Sequence, residues 1–532
     1  MKNLIKEREV QKENNATEIL NATEQKNKTE NTKKIHINKK IIANILVVVI
    51  IYLLNLIVLT VDYVYSVTGN LSVDQLIFHL KVPVNGTNMD IIWDYIKSVI
   101  PCSIILSILV IEAVIIIANF FFKEKVKINK IVKTMTLTLY IYAALTYVSE
   151  QADVKGFAKN QLEPSVFIQT NYADTKNIAI EFPKQKRNLI YIYLESMESS
   201  YTSSENGGIY KDDYIKELRE LAQNNINFSN TEKLGGAYQL PGTNWTIAGM
   251  VAQTSGMPLK ITIEQNSYGL YNSFLPGVKS LGEVLEENGY KNYLYLGSEV
   301  SFGGRENYFS QHGNYEMWDL NSAIREEKMT EEDKVWWGFD DNDLIGYSKQ
   351  KLLEISQNEN PFNFTMLTVD THFVDGYVCD ECRDDFDTQY ANVIACSSRQ
   401  ISNFIKWIQE QEFYENTTII VSGDHLTMQA SVEDDAKVYD EDYKRTVFNM
   451  VINPNIENID YSTTKNRSFS TIDMFPTTLA ALGATIDGNR LGLGTNLFSG
   501  KETLIEENGL DYVTQEFEKK SSFYNNKFIF GK

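Results

Sequence analysis

Two short stretches of the chain end in residue types that can hold a hard divalent cation. In IIVSGDHLTM an apolar run leads into Gly423-Asp424-His425, so a carboxylate and an imidazole arrive side by side where a buried strand would end. In IYIYLESMESS a second apolar run stops at Glu195. Carboxylate oxygens with an imidazole nitrogen suit Mn²⁺, Zn²⁺ or Mg²⁺. The plainer reading of Asp424 is an aspartate that bonds the backbone of its own turn. Glu198, just beyond Glu195, reads as a surface or helix-capping side chain.

A nucleophile is offered by PGTNWTIAGMVAQTSG, where a glycine-containing turn runs into small and apolar residues that begin a helix. Thr243 and Thr246 lie at its entrance. Either hydroxyl could simply cap the helix. Beside a cation and the positive end of a helix, either could instead attack phosphorus and form a phosphothreonine. FNFTMLTV ends close to Asp370 and His372. An imidazole there can donate to a phosphoryl oxygen or protonate a leaving alkoxide, the alternative being a histidine on a surface loop. Arg305, in SFGGRENY, carries a guanidinium that matches phosphate bidentately, or is an exposed residue at a helix start. His312, in SQHGN, joins it as a substrate-binding candidate.

These residues need a scaffold, and the pattern supplies one. Short apolar runs recur at 188–194, 291–297, 362–369, 417–423 and 446–453, each the length of a strand buried on both faces. Between them 279–288, 343–356 and 398–411 space apolar residues by three and four, as helices do. Alternation of this kind predicts an α/β fold, a mostly parallel sheet covered by helices, and such sheets bind ligands beyond the carboxyl ends of their strands. The apolar IDMFPTTLAALG is expected to be a packed helix without a catalytic part.

The chain is 532 residues long with a net charge of −20, which argues against nucleic acid as a partner. A cation held by carboxylates can still invert the charge where a phosphate must bind. Residues 1–40 are polar and predict a disordered cytoplasmic tail. A charge-free run follows at 41–61, with further apolar runs at 99–122 and 131–148, so 41–148 is expected to cross the membrane with about three helices. The third, with its Thr and Tyr, also fits an amphipathic helix lying in the interface. Lys39 and Lys40, and then Lys123, Lys125, Lys127 and Lys130, place both basic flanks in the cytoplasm and everything after Ser149 outside. Residues 149–187 then read as a linker, 188–500 as an extracellular catalytic domain and 501–532 as a C-terminal extension. Of four cysteines, Cys102 lies in an apolar run, while Cys379, Cys382 and Cys396 form a local group, one thiol short of a zinc cage. A disulfide between two of them or three inert thiols are equally open.

The segments IYIYLESMESS, GTNWTIAGMVAQTSG, FGGRENYFSQHG, LTVDTHFVDGY, VSGDHLTM, IDMFPTTLAALG and RLGLGTNLFSG together resemble the phosphoglycerol transferases of the alkaline phosphatase and sulfatase superfamily. Those include the lipoteichoic acid synthases and, closer in pattern to this chain, the enzymes that modify periplasmic glucans. The resemblance implies that Glu195, Thr246, Asp424 and His425 hold a metal, manganese foremost. It implies that Thr246 is the nucleophile, with Thr243 the alternative, and that His372 meets the substrate phosphate. Arg305 corresponds to an arginine that grips the donor's glycerol phosphate, although Gly303 and Gly304 stand where lipoteichoic acid synthases carry a Trp and a polar residue. The implied reaction takes phosphoglycerol from phosphatidylglycerol to an envelope glycan or glycolipid. A phosphoethanolamine transferase, a phosphodiesterase or a non-catalytic envelope-binding module are the competing readings. Sulfate ester hydrolysis is disfavoured beside these, because Thr246 lacks the Cys/Ser-x-Pro-x-Arg context of formylglycine.

Overall fold

The computed structural model describes residues 39–69, 73, 75–77, 89–122, 126–260 and 273–532. Residues 1–38 of the expected tail, and Lys123 and Lys125, lie outside the described residues. The fold divides into two compact units, one formed by 1–59 with 99–145, the other by 60–98 with 146–532.

Three helices, α1 (Lys39–Thr68), α2 (Met89–Phe122) and α3 (Val126–Gln151), carry the apolar runs. Among the described residues these three are long and apolar enough to cross a membrane, including the third, for which an interfacial position was the alternative. Side chains such as Ile45, Ile104 and Leu139 are exposed, as lipid-facing residues would be. Polar groups hold the first unit together internally: the buried Asn55 donates from Nδ2 to Ser107 Oγ at 2.9 Å and accepts from the Tyr140 hydroxyl. An amide with both ends paired is the kind of contact that joins helices where water is absent.

In the second unit a seven-stranded sheet runs in the order β2-β7-β6-β1-β5-β3-β4, with β1 at Asn188–Leu194, β2 at Gly236–Ala237, β3 at Lys291–Leu296, β4 at Glu316–Trp318, β5 at Phe362–Leu367, β6 at Thr417–Gly423 and β7 at Val447–Ile452. The strands β6, β1, β5, β3 and β4 are parallel, β7 is antiparallel to β6, and β2 is antiparallel to β7. Successive side chains of a strand face opposite sides. Leu189, Tyr191 and Tyr193 therefore enter one core with Ile247, Leu281, Met474 and Phe475, while Ile190, Ile192 and Leu194 enter a second with Leu344, Ile394, Phe404 and Ile405. Helices α4 (Thr246–Ser255), α5 (Leu281–Glu287) and α8 (Met474–Ala481) cover the first face, and α6 (Asp341–Ile355) and α7 (Gln389–Gln409) the second. The expected α/β sheet, mostly parallel and doubly covered, is the observed one.

Two expectations change. Helix α7 begins at Gln389, nine residues before the predicted 398, because Thr388 caps it by accepting the Ala391 N–H. The stretch 149–187 is not a bare linker. It forms helices at Val154–Leu162 and Phe167–Asn171 and a strand at Ile180–Glu181 that pairs with Thr485–Ile486. Phe167 and Ile168 are buried, and Phe167 packs edge-on against Tyr512 and Phe517 of the C-terminal segment, so both ends of the unit share one core.

Candidate active site

Strand register brings the acidic residues together. In the parallel pair β1 and β6, Leu194 lies opposite Gly423, so Glu195 and Asp424 leave the sheet side by side. Glu195 is locked at its backbone: its N–H donates to Thr368 Oγ1 at 2.9 Å and its carbonyl accepts from Thr371 Oγ1 at 2.5 Å. Asp424 Oδ1 accepts the N–H groups of Ser196 and His425, both at 2.8 Å. His425 donates from Nδ1 to the Leu426 carbonyl at 2.7 Å, which turns the Nε2 lone pair inward. Nε2 lies 3.4 Å from Asp424 Oδ2 and 3.6 Å from Glu195 Oε1.

Helix α4 delivers the hydroxyl. Thr246 is its first residue, and its Oγ1 lies 3.4 Å from Glu195 Oε2 and 3.5 Å from His425 Nε2. Gly249, one turn on, sits so close to the strand end that a Cβ there would come within 2.0 Å of the Asp424 carbonyl oxygen. Gln253 adds a second clamp, donating to the Gly423 carbonyl at 2.9 Å and accepting from the Tyr191 hydroxyl at 2.8 Å. Thr243 is placed differently. Its hydroxyl donates to the Leu240 carbonyl at 2.9 Å and accepts the Leu240 N–H at 3.1 Å, closing the turn before the helix.

The donor set fits a divalent cation. Ligand atoms of Glu195, Asp424 and His425 all lie within 4.8 Å of one another. Asp424 Oδ2 is buried and has no hydrogen-bond partner, an arrangement that costs free energy unless a cation compensates it. Burial, reinforced by the Glu195 charge, pushes the Asp424 carboxyl up to about 7. Burial also works against the Glu195 charge, but the nearby His372 and His425 rings outweigh it and hold that carboxyl below the usual range. For His425 burial is outweighed by Asp424 and Glu195, which raise it. Two buried carboxylates against one imidazole leave the negative excess that a metal ion neutralises.

His372 donates from Nδ1 to the Phe373 carbonyl at 2.6 Å and is walled by Trp337, ring centroids 4.8 Å apart, with Trp336 at 6.0 Å. Burial lowers its pKa, and Glu195 is the strongest charge pulling it back up. Arg305 is buried and follows Gly303 and Gly304, whose φ of 67° and 80° make the reversal that starts its helix. It donates to Phe302 O, Ser298 Oγ and Glu299 O at 3.0, 3.1 and 2.7 Å. Burial lowers its pKa to about 10, and the largest charge opposing that fall is Glu195, so the guanidinium lies within the electrostatic reach of the cluster.

Two expectations do not hold, those for His312 and Glu198. His312 contacts Glu283 Oε2 through Nδ1 at 2.9 Å and the Phe274 carbonyl through Nε2 at 2.6 Å, so both ring nitrogens are committed and none is left for a substrate. Asp370 turns to Asp341, accepting its N–H at 3.2 Å, rather than joining the cluster. Glu198 is neither superficial nor a cap. It is fully buried, held by the Arg445 guanidinium and by the Thr427 N–H at 2.7 Å, and so braces the residues that follow His425. Arg445 went unnoticed in the sequence because nothing local marks it as the partner of a residue 247 positions away. The tryptophans beside His372 carried no more than their type. A cleft of about 400 Å³ opens along Tyr238, Gln239, Asn244, Leu426, Thr427 and Arg445, and the Gln239 side chain accepts the Leu426 N–H at 2.8 Å.

Phosphoglycerol transferase I of Escherichia coli O127:H6 is 32% identical over 328 residues, which cover 60% of this chain and 40% of that protein. The chain thus spans less than half the length of the curated relatives it matches. Among solved structures, the lipoteichoic acid synthase LtaP from Listeria monocytogenes superposes with a TM-score of 0.48 at 17% identity, over 63% of this chain and 82% of that one. Lipooligosaccharide phosphoethanolamine transferase A from Neisseria meningitidis gives 0.48 at 12% identity, over 82% and 84%. A sulfatase family model matches residues 187–484. Since that match takes in every strand of the sheet that carries the cluster, and more than half of the chain, the chain belongs to the sulfatase family.

Proposed function

We propose that this chain transfers phosphoglycerol from phosphatidylglycerol, through a phosphothreonine at Thr246, to a glycan or glycolipid of the cell envelope. The observation that carries the reading is the Thr246 hydroxyl at the start of α4, 3.4 Å from Glu195 Oε2 and 3.5 Å from His425 Nε2. The choice of phosphoglycerol rests on the relatives named phosphoglycerol transferase I. Glu195, Asp424 and His425, with Thr246, would hold a divalent cation, Mn²⁺ in this reading, which when bound supplies Lewis-acid charge to the phosphoryl group and the attacking hydroxyl.

The chain's own groups do the rest. Thr246 Oγ attacks phosphorus, its proton leaving along the hydrogen bond to Glu195, and the bond from phosphorus to the diacylglycerol oxygen breaks. His372, protonated, gives its proton to that alkoxide and returns to the neutral form that its burial favours. Arg305 faces the glycerol phosphate. In the second half an acceptor hydroxyl attacks phosphorus, His372 takes its proton, the bond from phosphorus to Thr246 Oγ breaks, and Thr246 takes back its proton from Glu195. Trp336 and Trp337 shield the imidazole from bulk water.

The apolar helices fit this chemistry, because an anchor confines the site to the plane of a lipid donor and raises the effective concentration. In this reading the catalytic domain, 188–500, lies outside the cytoplasmic membrane, and residues 1–40 lie inside. The test is intact-mass and peptide mapping of the protein after incubation with Mn²⁺ and phosphatidylglycerol, beside Thr246→Ala. Phosphoglycerol on the Thr246 peptide with diacylglycerol released, both absent in the variant, supports the whole reading. An adduct formed only from phosphatidylethanolamine replaces the donor, and no adduct with any headgroup or metal sinks the transferase reading in favour of a binding module.

A further inference from the structure

A second cluster lies between the end of β5 and α7. Cys379 and Cys382 sit on the loop that leaves the His372 strand end, and Cys396 sits on α7. Cys379 Sγ is 3.5 Å from Cys382 Sγ and 3.8 Å from Cys396 Sγ, and all three sulfurs lie within 4.8 Å of one another. A tetrahedral ion with metal–sulfur bonds of about 2.3 Å sets its sulfurs about 3.8 Å apart, so the 3.5 and 3.8 Å separations from Cys379 match two edges of such a site. Cys379 and Cys396 are buried while Cys382 is only partly so, which leaves one side open to solvent. Around Cys379 Sγ stand the Gln400 side chain, donating at 3.4 Å, and the Glu381 backbone N–H. Donors aimed at sulfur are what outer groups supply to a metal-bound thiolate.

A disulfide explains less. It would join two of the sulfurs and leave the third beside them without a role, whereas one ion uses all three.

We infer that Cys379, Cys382 and Cys396 form a second metal site, a three-thiolate centre for a thiophilic ion of the zinc class with its fourth position open to water. It is distinct in chemistry from the carboxylate and imidazole cluster, since thiolates select zinc or copper(I) over manganese and magnesium. Its place in the fold gives it a structural task. The loop from His372 to Thr388 returns to α7 through Gln389, which donates to the Gly376 carbonyl at 3.0 Å, and through Asn392, whose side chain accepts the N–H groups of Asp385 and Phe386 at 2.9 and 2.8 Å. The ion adds a tie between the middle of this loop and the helix, fixing the base from which His372 projects.

The test uses the full chain in detergent, stripped with EDTA under reducing conditions and titrated with Co²⁺. One equivalent should produce a thiolate-to-cobalt charge-transfer band that Zn²⁺ abolishes. Asp424→Asn should keep the band, and Cys396→Ser should lose it together with one bound zinc per chain. Should the cysteine variant fail to fold, peptide-mapped alkylation of the wild-type chain decides: Zn²⁺ must protect Cys379, Cys382 and Cys396, with the metal-free chain as the unprotected reference. No charge-transfer band, no zinc protection, or a chain two hydrogens lighter with a mapped disulfide would each overturn the site.

Discussion

Replacing Gly249 with alanine tests how closely α4 must seat on the strand end that carries Asp424. The new methyl would lie 2.0 Å from the Asp424 carbonyl oxygen and 2.9 Å from its carbon. Both are backbone atoms flanked by ligands of the cluster, so neither can swing aside as a flexible side chain would. Reaching even 3.0 Å, the limit below which real Cβ contacts are essentially never seen, requires the helix and strand to part by about 1 Å. Thr246 rides on that helix and Asp424 and His425 on that strand, so the separation falls directly on the distance between hydroxyl and cation ligands. A misplacement of about 1 Å costs on the order of 100-fold in rate, and overpacking costs about 1–3 kcal/mol in stability, part of it returned by alanine's helix propensity. Gly346→Ala is the matched control, because it lies inside α6 with nothing within 4 Å of the place its methyl would take. It should leave activity unchanged and raise stability by about 0.5–1 kcal/mol. The assay is diacylglycerol release from phosphatidylglycerol, with thermal melts and metal titration alongside. Wild-type turnover and wild-type metal affinity in Gly249→Ala would refute the claim that this contact sets the site.

The remaining predictions concern single groups. Thr246→Ala should abolish the covalent adduct, while Thr243→Val should keep it and lose about 1 kcal/mol of stability through two turn hydrogen bonds; an adduct surviving in Thr246→Ala would reverse the assignment. Arg445→Met leaves the fully buried Glu198 without its charged partner and should cost about 3–5 kcal/mol in urea unfolding, a figure that a change under about 1 kcal/mol would contradict. Burial pushes Asp341, Asp424 and Asp473 each up to about 7, with the Glu195 charge adding to the effect at Asp424. Between the ordinary aspartate value, about 4, and about 7 the folded chain keeps protons that the unfolded chain has released. The metal-stripped protein should therefore lose stability as pH rises through that window, and Mn²⁺ should recover only the Asp424 share. A melting temperature that rises with pH across it would show the sign to be wrong.

Strands β1, β3, β5, β6 and β7 were legible because each is a six- or seven-residue apolar run, buried on both faces. Strands β2 and β4 were not, since two and three residues leave no pattern to read. Glu195, Asp424 and His425 could be found as strand-end residues of metal-binding type, because a strand end is a local signal. The roles of His312 and Glu198 could not, because their partners, Glu283, Phe274 and Arg445, are remote in the chain. The cysteines show the same division: the sequence counts three thiols, and only the packing of the 379–382 loop on α7 brings them to within a metal's reach.

From the sequence alone came residue types, their places at strand and helix ends, and the apolar helices, all set by the spacing of neighbours along the chain. Tertiary structure decided which hydroxyl faces the cluster. Thr243 and Thr246 stand at the same helix entrance in the sequence. Only the register that sets Leu194 opposite Gly423, and the bare backbone at Gly249 that lets α4 close on it, put Thr246 at the carboxylates and leave Thr243 in the turn.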